Sequence, residues 1–325
     1  MHRVLVLLLV AVGAVDGLLQ GGLAPGPVIA LPGVKGRIDH LAVDVAGGRL
    51  FVAALGNDSV EVVDTRAGAW LRRLDGFHEP QGIAFVPSPG LVAVANGGSG
   101  DLVLLDATDY HVVARVALGS DADNVRYDAS AKQLFVGYGS GAIARVALDG
   151  KRMGEVKLAG HPESFQLEPS GSRIFVNVPD ARQVAVLDRT SMSMIGTWPV
   201  SDAAANYPMA LDATHHRLYL GCRRPAVVLI YDTNTGKRVG SLDTVGDTDD
   251  LFYDTERQRL YVTGGEGSVD ILHQDDPDHL TRISRLPSAS GARTSLYVPE
   301  PGRLYVAVPA RGTQQSAVRV YDVRD

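Results

Sequence analysis

Residues 39–65 read DHLAVDVAGGRLFVAALGNDSVEVVDT. A short alternating run ends near Asp44, a Gly47-Gly48 turn leads into a second run over Arg49–Leu55, and an Asn57-Asp58 turn leads into a third that ends in Asp64. Val, Leu and Phe fill the runs while Gly, Asn and Asp separate them, which is the composition of short strands joined by tight turns. The same cadence returns at intervals of roughly 42 residues, with new units beginning near Gln81, Asp123, Glu163, Tyr207, Asp249 and Arg293. Six of the units carry four runs; the sixth, for example, gives DLFYD, RLYVTGG, VDILH and RISRL. No segment sustains a helical period with caps at both ends. Seven units of four short strands predict an all-β fold, a seven-bladed β-propeller with four antiparallel strands per blade.

The seventh unit has only three runs, TSLYV, RLYVAV and VRVYD, before the chain stops. Upstream of the first unit, residues 28–34 (VIALPGV) form an orphan run that matches fourth strands such as RISRLPS at 282–288. This N-terminal strand is expected to complete the last blade and tie the two ends of the ring together. One propeller domain then spans residues 28–325, preceded by a Gly/Pro-rich linker over residues 18–27.

The first residues, MHRVLVLLLVAVGAVDG, combine a short basic start, an apolar run and a small-residue exit. Residues 1–17 therefore read as a secretory signal peptide, and the mature chain is expected to be periplasmic or secreted with no membrane span after cleavage. The single cysteine, Cys222, leaves stability to packing. A net charge of −6, with no block of Lys and Arg, argues against a nucleic-acid partner. The expected state is a monomer.

The second strands RLFVAAL, LVAVANGG, RLYVTGG and RLYVAV are each followed by a run of the V-x-V-[VLIY]-D kind. They resemble the YVTN-type bacterial propeller repeat, most closely at Leu260-Tyr261-Val262-Thr263-Gly264. Over almost everything after the leader, the chain resembles the YncE-like family of exported seven-bladed propellers, within the haem d1 and WD40-like superfamily. That resemblance implies an exported binding protein, with haem d1 binding and lactonase activity as properties of related propellers. Its motif residues are strand and turn residues, so it speaks to fold far more than to function.

Chemistry is sought where the repeats stop matching. Aligned on their first strands, the units place Asp39, Gln81, Asp123, Glu163, Tyr207, Asp249 and Arg293 in one column. The next column holds His40, Gly82, Asn124, Ser164, Pro208, Asp250 and Thr294. Ring geometry converges these positions at one mouth of the central channel. The candidate ligand-binding set is Asp39, His40, Asp123, Asn124, Arg126, Glu163, Asn206, Tyr207, Asp249, Asp250 and Arg293. Asp and Asn also cap tight turns, so both readings stand. Hard oxygen donors suit Ca²⁺, with Glu163, Asn206 and Asp249 as its candidate ligands, and a Ca²⁺ there would polarise a lactone carbonyl. The Glu, Asn, Asn, Asp mix resembles gluconolactonase-type propellers, although the flanking HPESFQ and ANYPMAL differ from that family. His40, oriented by Asp39, or Asp39 itself is the candidate general base, and His40 is by analogy a haem d1 ligand; His78 and His161 are expected near the same mouth. Arg223-Arg224-Pro225 reads as a solvated basic turn.

The first reading is a non-catalytic exported propeller that binds a small molecule or a protein at this mouth. The alternatives are a Ca²⁺-dependent lactonase-like hydrolase or lyase, and a haem d1 binder.

Overall fold

The computed structural model describes residues 22–325, so the leader expected over residues 1–17 lies outside the described residues. Each repeat forms one four-stranded antiparallel sheet whose strands follow chain order. In the first blade these are Leu41–Asp44, Arg49–Ala54, Ser59–Asp64 and Ala69–Asp75. Innermost strands contact those of the next blade all the way round, and Ser295–Val298 of the seventh blade meets Leu41–Asp44 of the first. The seven-bladed ring expected from the repeats is closed.

Layering follows from the pattern of apolar residues. Second and third strands lie between neighbouring blades, so Leu50–Ala54 and Val60, Val62 and Val63 are buried. Such strands read as continuous apolar runs because both faces are covered. The fourth strand, Ala69–Asp75, only alternates between exposed and half-buried. Buried apolar residues of the described chain sort into seven clusters, each built from two adjacent blades. Aromatic pairs cross these seams: Phe51 and Phe85 at 6.2 Å, Tyr219 and Tyr253 at 5.5 Å, Tyr261 and Tyr297 at 5.0 Å between ring centroids. Burial contributes about 25 cal/mol per Å² of apolar surface, and here that surface is buried between blades rather than within one. Stability is a sum over neighbours and the ring is one cooperative unit.

Closure is made by Leu23–Ala30, which pairs antiparallel with Ala317–Val323 from Leu23 opposite Val323 to Ala30 opposite Ala317. The sequence reading placed this strand at residues 28–34 and a linker over 18–27; the strand instead begins at Leu23. Pro25, Gly26 and Pro27 sit at a register shift on the sheet's outer edge, where a residue without an N–H costs no ladder bond. Gly/Pro punctuation marks an edge irregularity here, not a linker. Leu31 and Val34 leave the strand and bury in the seam between the last blade and the first. The Ser316 hydroxyl lies 2.9 Å from the Leu31 carbonyl and 3.0 Å from that of Val34.

Every outer strand from the first blade to the sixth carries one unpaired residue at an equivalent register shift: Leu71, Val113, Met153, Ile195, Val239 and Ile283. All six are apolar and 37% to 55% exposed. An extra residue bends and twists an edge strand, which keeps its free N–H and C=O groups from templating another chain.

Ile29→Ala and Leu31→Ala should each lower the unfolding free energy by about 2–5 kcal/mol in urea titration, shifting one transition of the whole ring. An unmoved midpoint in either variant would show that closure carries no stability. Deleting Val239 should flatten its edge and produce dimers or larger species by light scattering; a strictly monodisperse deletion variant would remove the protective role of the bulge.

Candidate functional site

The two columns singled out in the sequence are the positions at which the first strands of six blades depart from their ladders. In the third blade Ala122 pairs with Tyr138 and Val125 with Val136, so Asp123 and Asn124 both face Gly137. Gln81 with Gly82, and Tyr207 with Pro208, stand in the same two-against-one relation, while Asp249 is the extra residue of the sixth blade. In the first blade the Asp39 N–H donates to the Ala53 carbonyl and the Ala53 N–H to the His40 carbonyl; Glu163, Asn177 and Ser164 repeat this in the fourth. In the seventh, the Ala307 N–H donates to the Thr294 carbonyl. A bulge re-aims the side chains it carries, here toward the channel. Gly82 is required by packing, because a Cβ there would lie 1.9 Å from the Asp123 carbonyl oxygen.

These side chains enclose a cavity of about 430 Å³ to which all seven blades contribute. Of the expected set, Asp39, His40, Asp123, Asn124, Glu163, Tyr207, Asp249 and Arg293 line it, as do Gln81, Ser164 and His161. Three expected residues lie outside the lining. Asn206 is fully buried, its amide donating to Asn177 Oδ1 at 2.9 Å and to the Gln183 carbonyl at 3.3 Å. It is still paired in register, opposite Cys222, so its side chain falls into a seam rather than the channel. Arg126 lies beyond the bulge, over the Phe165 ring at 5.4 Å, and donates to the Val125 carbonyl. Asp250 accepts the Ser295 N–H at 2.8 Å and faces His40. His78 is exposed and does not line the cavity.

Four polar wall residues escaped the sequence reading: Arg37, Glu79, Asp121 and Arg223. The first three stand two residues upstream of the first column, where the chain reads Arg37, Glu79, Asp121, His161, Ala205, Asp247 and Gly291. That third column is as varied as the other two and was a usable signal. Glu79 and Asp121 hold positive φ values of 51° and 42°. Arg223, read as part of a solvated turn, instead reaches the mouth from a second strand that runs over Arg217–Arg224, longer than its counterparts.

Charge is distributed unevenly around this wall. Arg37 pairs with Asp39 at 2.8 Å and Arg293 with Asp247 at 2.9 Å, while Arg223 pairs with Asp249 and stacks over Tyr207 at 4.0 Å from the ring centroid. Burial alone would lower the pKa of His40. Asp250 at 3.4 Å from Nδ1 and Asp39 at 3.7 Å from Nε2 outweigh that and push it up to about 10. His161, whose Nδ1 donates to the Gly139 carbonyl at 2.6 Å, is likewise carried against its own burial to about 9 by Asp123 and Asp121. Burial, reinforced by Asp123 and Asp249, pushes Glu163 up to about 8. Burial also raises Asp249 to about 7, a rise that Arg223 opposes and Asp39 reinforces. Among the described residues no hydrogen bond or ion pair reaches the Glu163 carboxyl, and Asn124 Oδ1 is buried with no partner.

Of the expected Ca²⁺ ligands, Glu163 and Asp249 stand on the wall, whereas Asn206 lies off it, its Nδ2 donating to Asn177 and its Oδ1 buried without a partner. Among the described residues, the group of His, Cys, Asp and Glu with donor atoms close enough to share an ion is Asp106, Asp109 and His111. It sits on a turn of the second blade, where Asp106 accepts the Thr108 N–H and Asp109 that of His111. A larger cavity, about 750 Å³, opens at the other end of the first strands between the turns at 43–45 and 298–303; it includes none of the candidate residues.

No protein-family model matches the chain, and no curated protein matches it. Solved structures do. A chain of Kuenenia stuttgartiensis hydrazine synthase superposes with a TM-score of 0.72 at 16% identity, covering 85% of this chain and 95% of its own. A chain of a mitotic checkpoint complex superposes with a TM-score of 0.79 at 17% identity, covering 100% and 99% respectively. At such identities the likeness is one of fold, a seven-bladed β-propeller.

His40, His161, Glu163 and Asp249 all make stability fall as pH rises. His40 and His161 hold their protons more tightly in the folded chain, so their contribution is complete below the ordinary value of 6.5 and is lost through about 9 and 10. Glu163 and Asp249 keep in the fold a proton that the unfolded chain loses above the ordinary 4.5 and 3.8, and that advantage is lost through about 8 and 7. Urea unfolding should therefore show a free energy that declines from about pH 5 to about pH 10, and Glu163→Gln should flatten the part below pH 8. A pH-independent free energy would contradict this electrostatic description of the mouth.

Proposed function

We propose that this chain is an exported, non-catalytic β-propeller of the YncE-like, YVTN-repeat type that captures a small polar molecule in the mouth lined by Asp39, Asp123, Glu163, Tyr207, Asp249 and Arg293. The observation that carries the reading is the wall itself: seven blades send polar side chains into one cavity, six of them from an irregularity of the first strand. Its volume of about 430 Å³ falls within the range of small-molecule sites. Folding has already positioned these groups, so ordering them costs little on binding. Export rests on the leader-like residues 1–17, and the family on the YVTN-like strand Arg259–Gly264.

Binding without turnover is favoured by the state of the candidate base. A His40 that keeps its proton to about pH 10 has no free lone pair at neutral pH to abstract a proton or to ligate haem iron. Among the described residues the Ser164 hydroxyl accepts from Arg126 at 3.4 Å and donates to no general base, the partner a nucleophilic serine needs. Of Glu163, Asn206 and Asp249, only the two carboxyl groups line the cavity.

A thermal-shift screen of small polar metabolites should yield compounds that raise the melting temperature, as any ligand of the folded state must. That shift should disappear in Tyr207→Ala and Asp123→Asn. Hits that keep their full effect in both variants would place binding elsewhere and defeat the reading.

A further inference from the structure

The wall of the mouth is divided by ring position. Blades two, three and four contribute Glu79, Asp121, Asp123 and Glu163 with no arginine or lysine, only His161 as a cation; the rest of the ring contributes Arg223, Arg293, Arg37 and His40, together with Asp249 and Asp39. On the acidic arc His161 answers Asp121 and Asp123, at 3.4 and 3.6 Å, which leaves Glu163 with no ion pair among the described residues. Asn124 adds a buried acceptor oxygen without a donor on the same arc. A carboxyl group with no ion pair and a carbonyl oxygen with no donor, both on one arc, make a site short of N–H donors. On the opposite arc the position is reversed. Arg37 and Arg293 each commit one terminal nitrogen to an aspartate, Asp39 and Asp247, and a guanidinium carries five N–H donors. Arg37 is also half in solvent, with 56% of its side chain exposed, and both residues line the cavity.

We propose that the ligand of this mouth is a zwitterion, a small molecule whose ammonium group seats on Glu163 and Asn124 and whose carboxylate seats on Arg293 and Arg37. The inference rests on the small-molecule reading above and names its ligand class. An ammonium supplies three donors to the acidic arc, and a carboxylate accepts the fork of donors on the other. Seating the ammonium displaces the proton that the Glu163 carboxyl keeps to about pH 8 in the empty mouth, and neither end requires a covalent bond to be made.

Isothermal titration calorimetry of the full chain at neutral pH tests it with β-alanine, aminohexanoate and lysine, each beside its N-acetyl and methyl ester forms. At least one free zwitterion should bind, and blocking either end should weaken it about tenfold or more. Glu163→Gln should abolish the preference for the free amine over the acetylated form. Arg293→Gln should abolish the preference for the free carboxylate over the ester. Unliganded melting curves of both variants check that the ring is intact. The inference is overturned if no zwitterion in the series binds, or if blocked forms bind as tightly as free ones. Should blocked forms bind and still be weakened by either substitution, the mouth remains a ligand site and only the zwitterion falls. Should binding of every compound ignore both substitutions, the mouth reading falls with it.

Discussion

No blade of this protein buries its own apolar surface, and everything else in the structure depends on that. A four-stranded sheet whose second and third strands are apolar on both faces needs a neighbour on each side, and only a closed ring supplies one to all seven. The pairing of Leu23–Ala30 with Ala317–Val323 is the contact that turns a row of blades into a ring. A closed ring fixes the distance of each first strand from a common axis. The seven mouth positions are therefore brought together by seams that lie well away from them.

The same backbone device appears at both edges of the first six blades, with different consequences. On the inner strands a register irregularity turns residues such as Asp123 and Glu163 out of the ladder toward the channel. On the outer strands a single unpaired apolar residue, such as Ile195 or Val239, disturbs an edge that would otherwise be open to pairing. In both places the ladder gives up regularity at an edge, where a lost bond can be answered by water or by another group. The buried second and third strands keep their pairing unbroken.

The mouth is electrostatically costly, which connects it to the ring's stability. Asp39, Glu163 and Asp249 all have pKa values raised by burial, and two histidines are held as cations among carboxylates. Such an arrangement persists only in a scaffold that over-determines the positions of its groups. Strain shows in the backbone as well, at Glu79 and Asp121, whose positive φ values fall just upstream of the bulges. A rigid ring can carry these groups into one cavity because its stability is generated elsewhere.

By itself the sequence determined the architecture and the site's approximate address. Alternation, turn chemistry and a period of roughly 42 residues are local signals, and seven copies of a local signal leave little room for another fold. The two columns at Asp39 and His40 were legible because sites appear where repeats diverge. Pro25-Gly26-Pro27 misled, since the same residues that break a strand in the open are tolerated at a sheet edge. Tertiary structure alone decided which side of each bulge a side chain takes. Asn206, one position before the Tyr207 bulge, was sent into a seam, and Arg223 was brought from a different strand onto the wall. The division into an acidic and a basic arc also belongs to the ring, because it depends on which blades are neighbours. Strand identity is set by residues near one another in the chain; the direction of a side chain at a bulge, and its partners across a channel, are set by residues far from it.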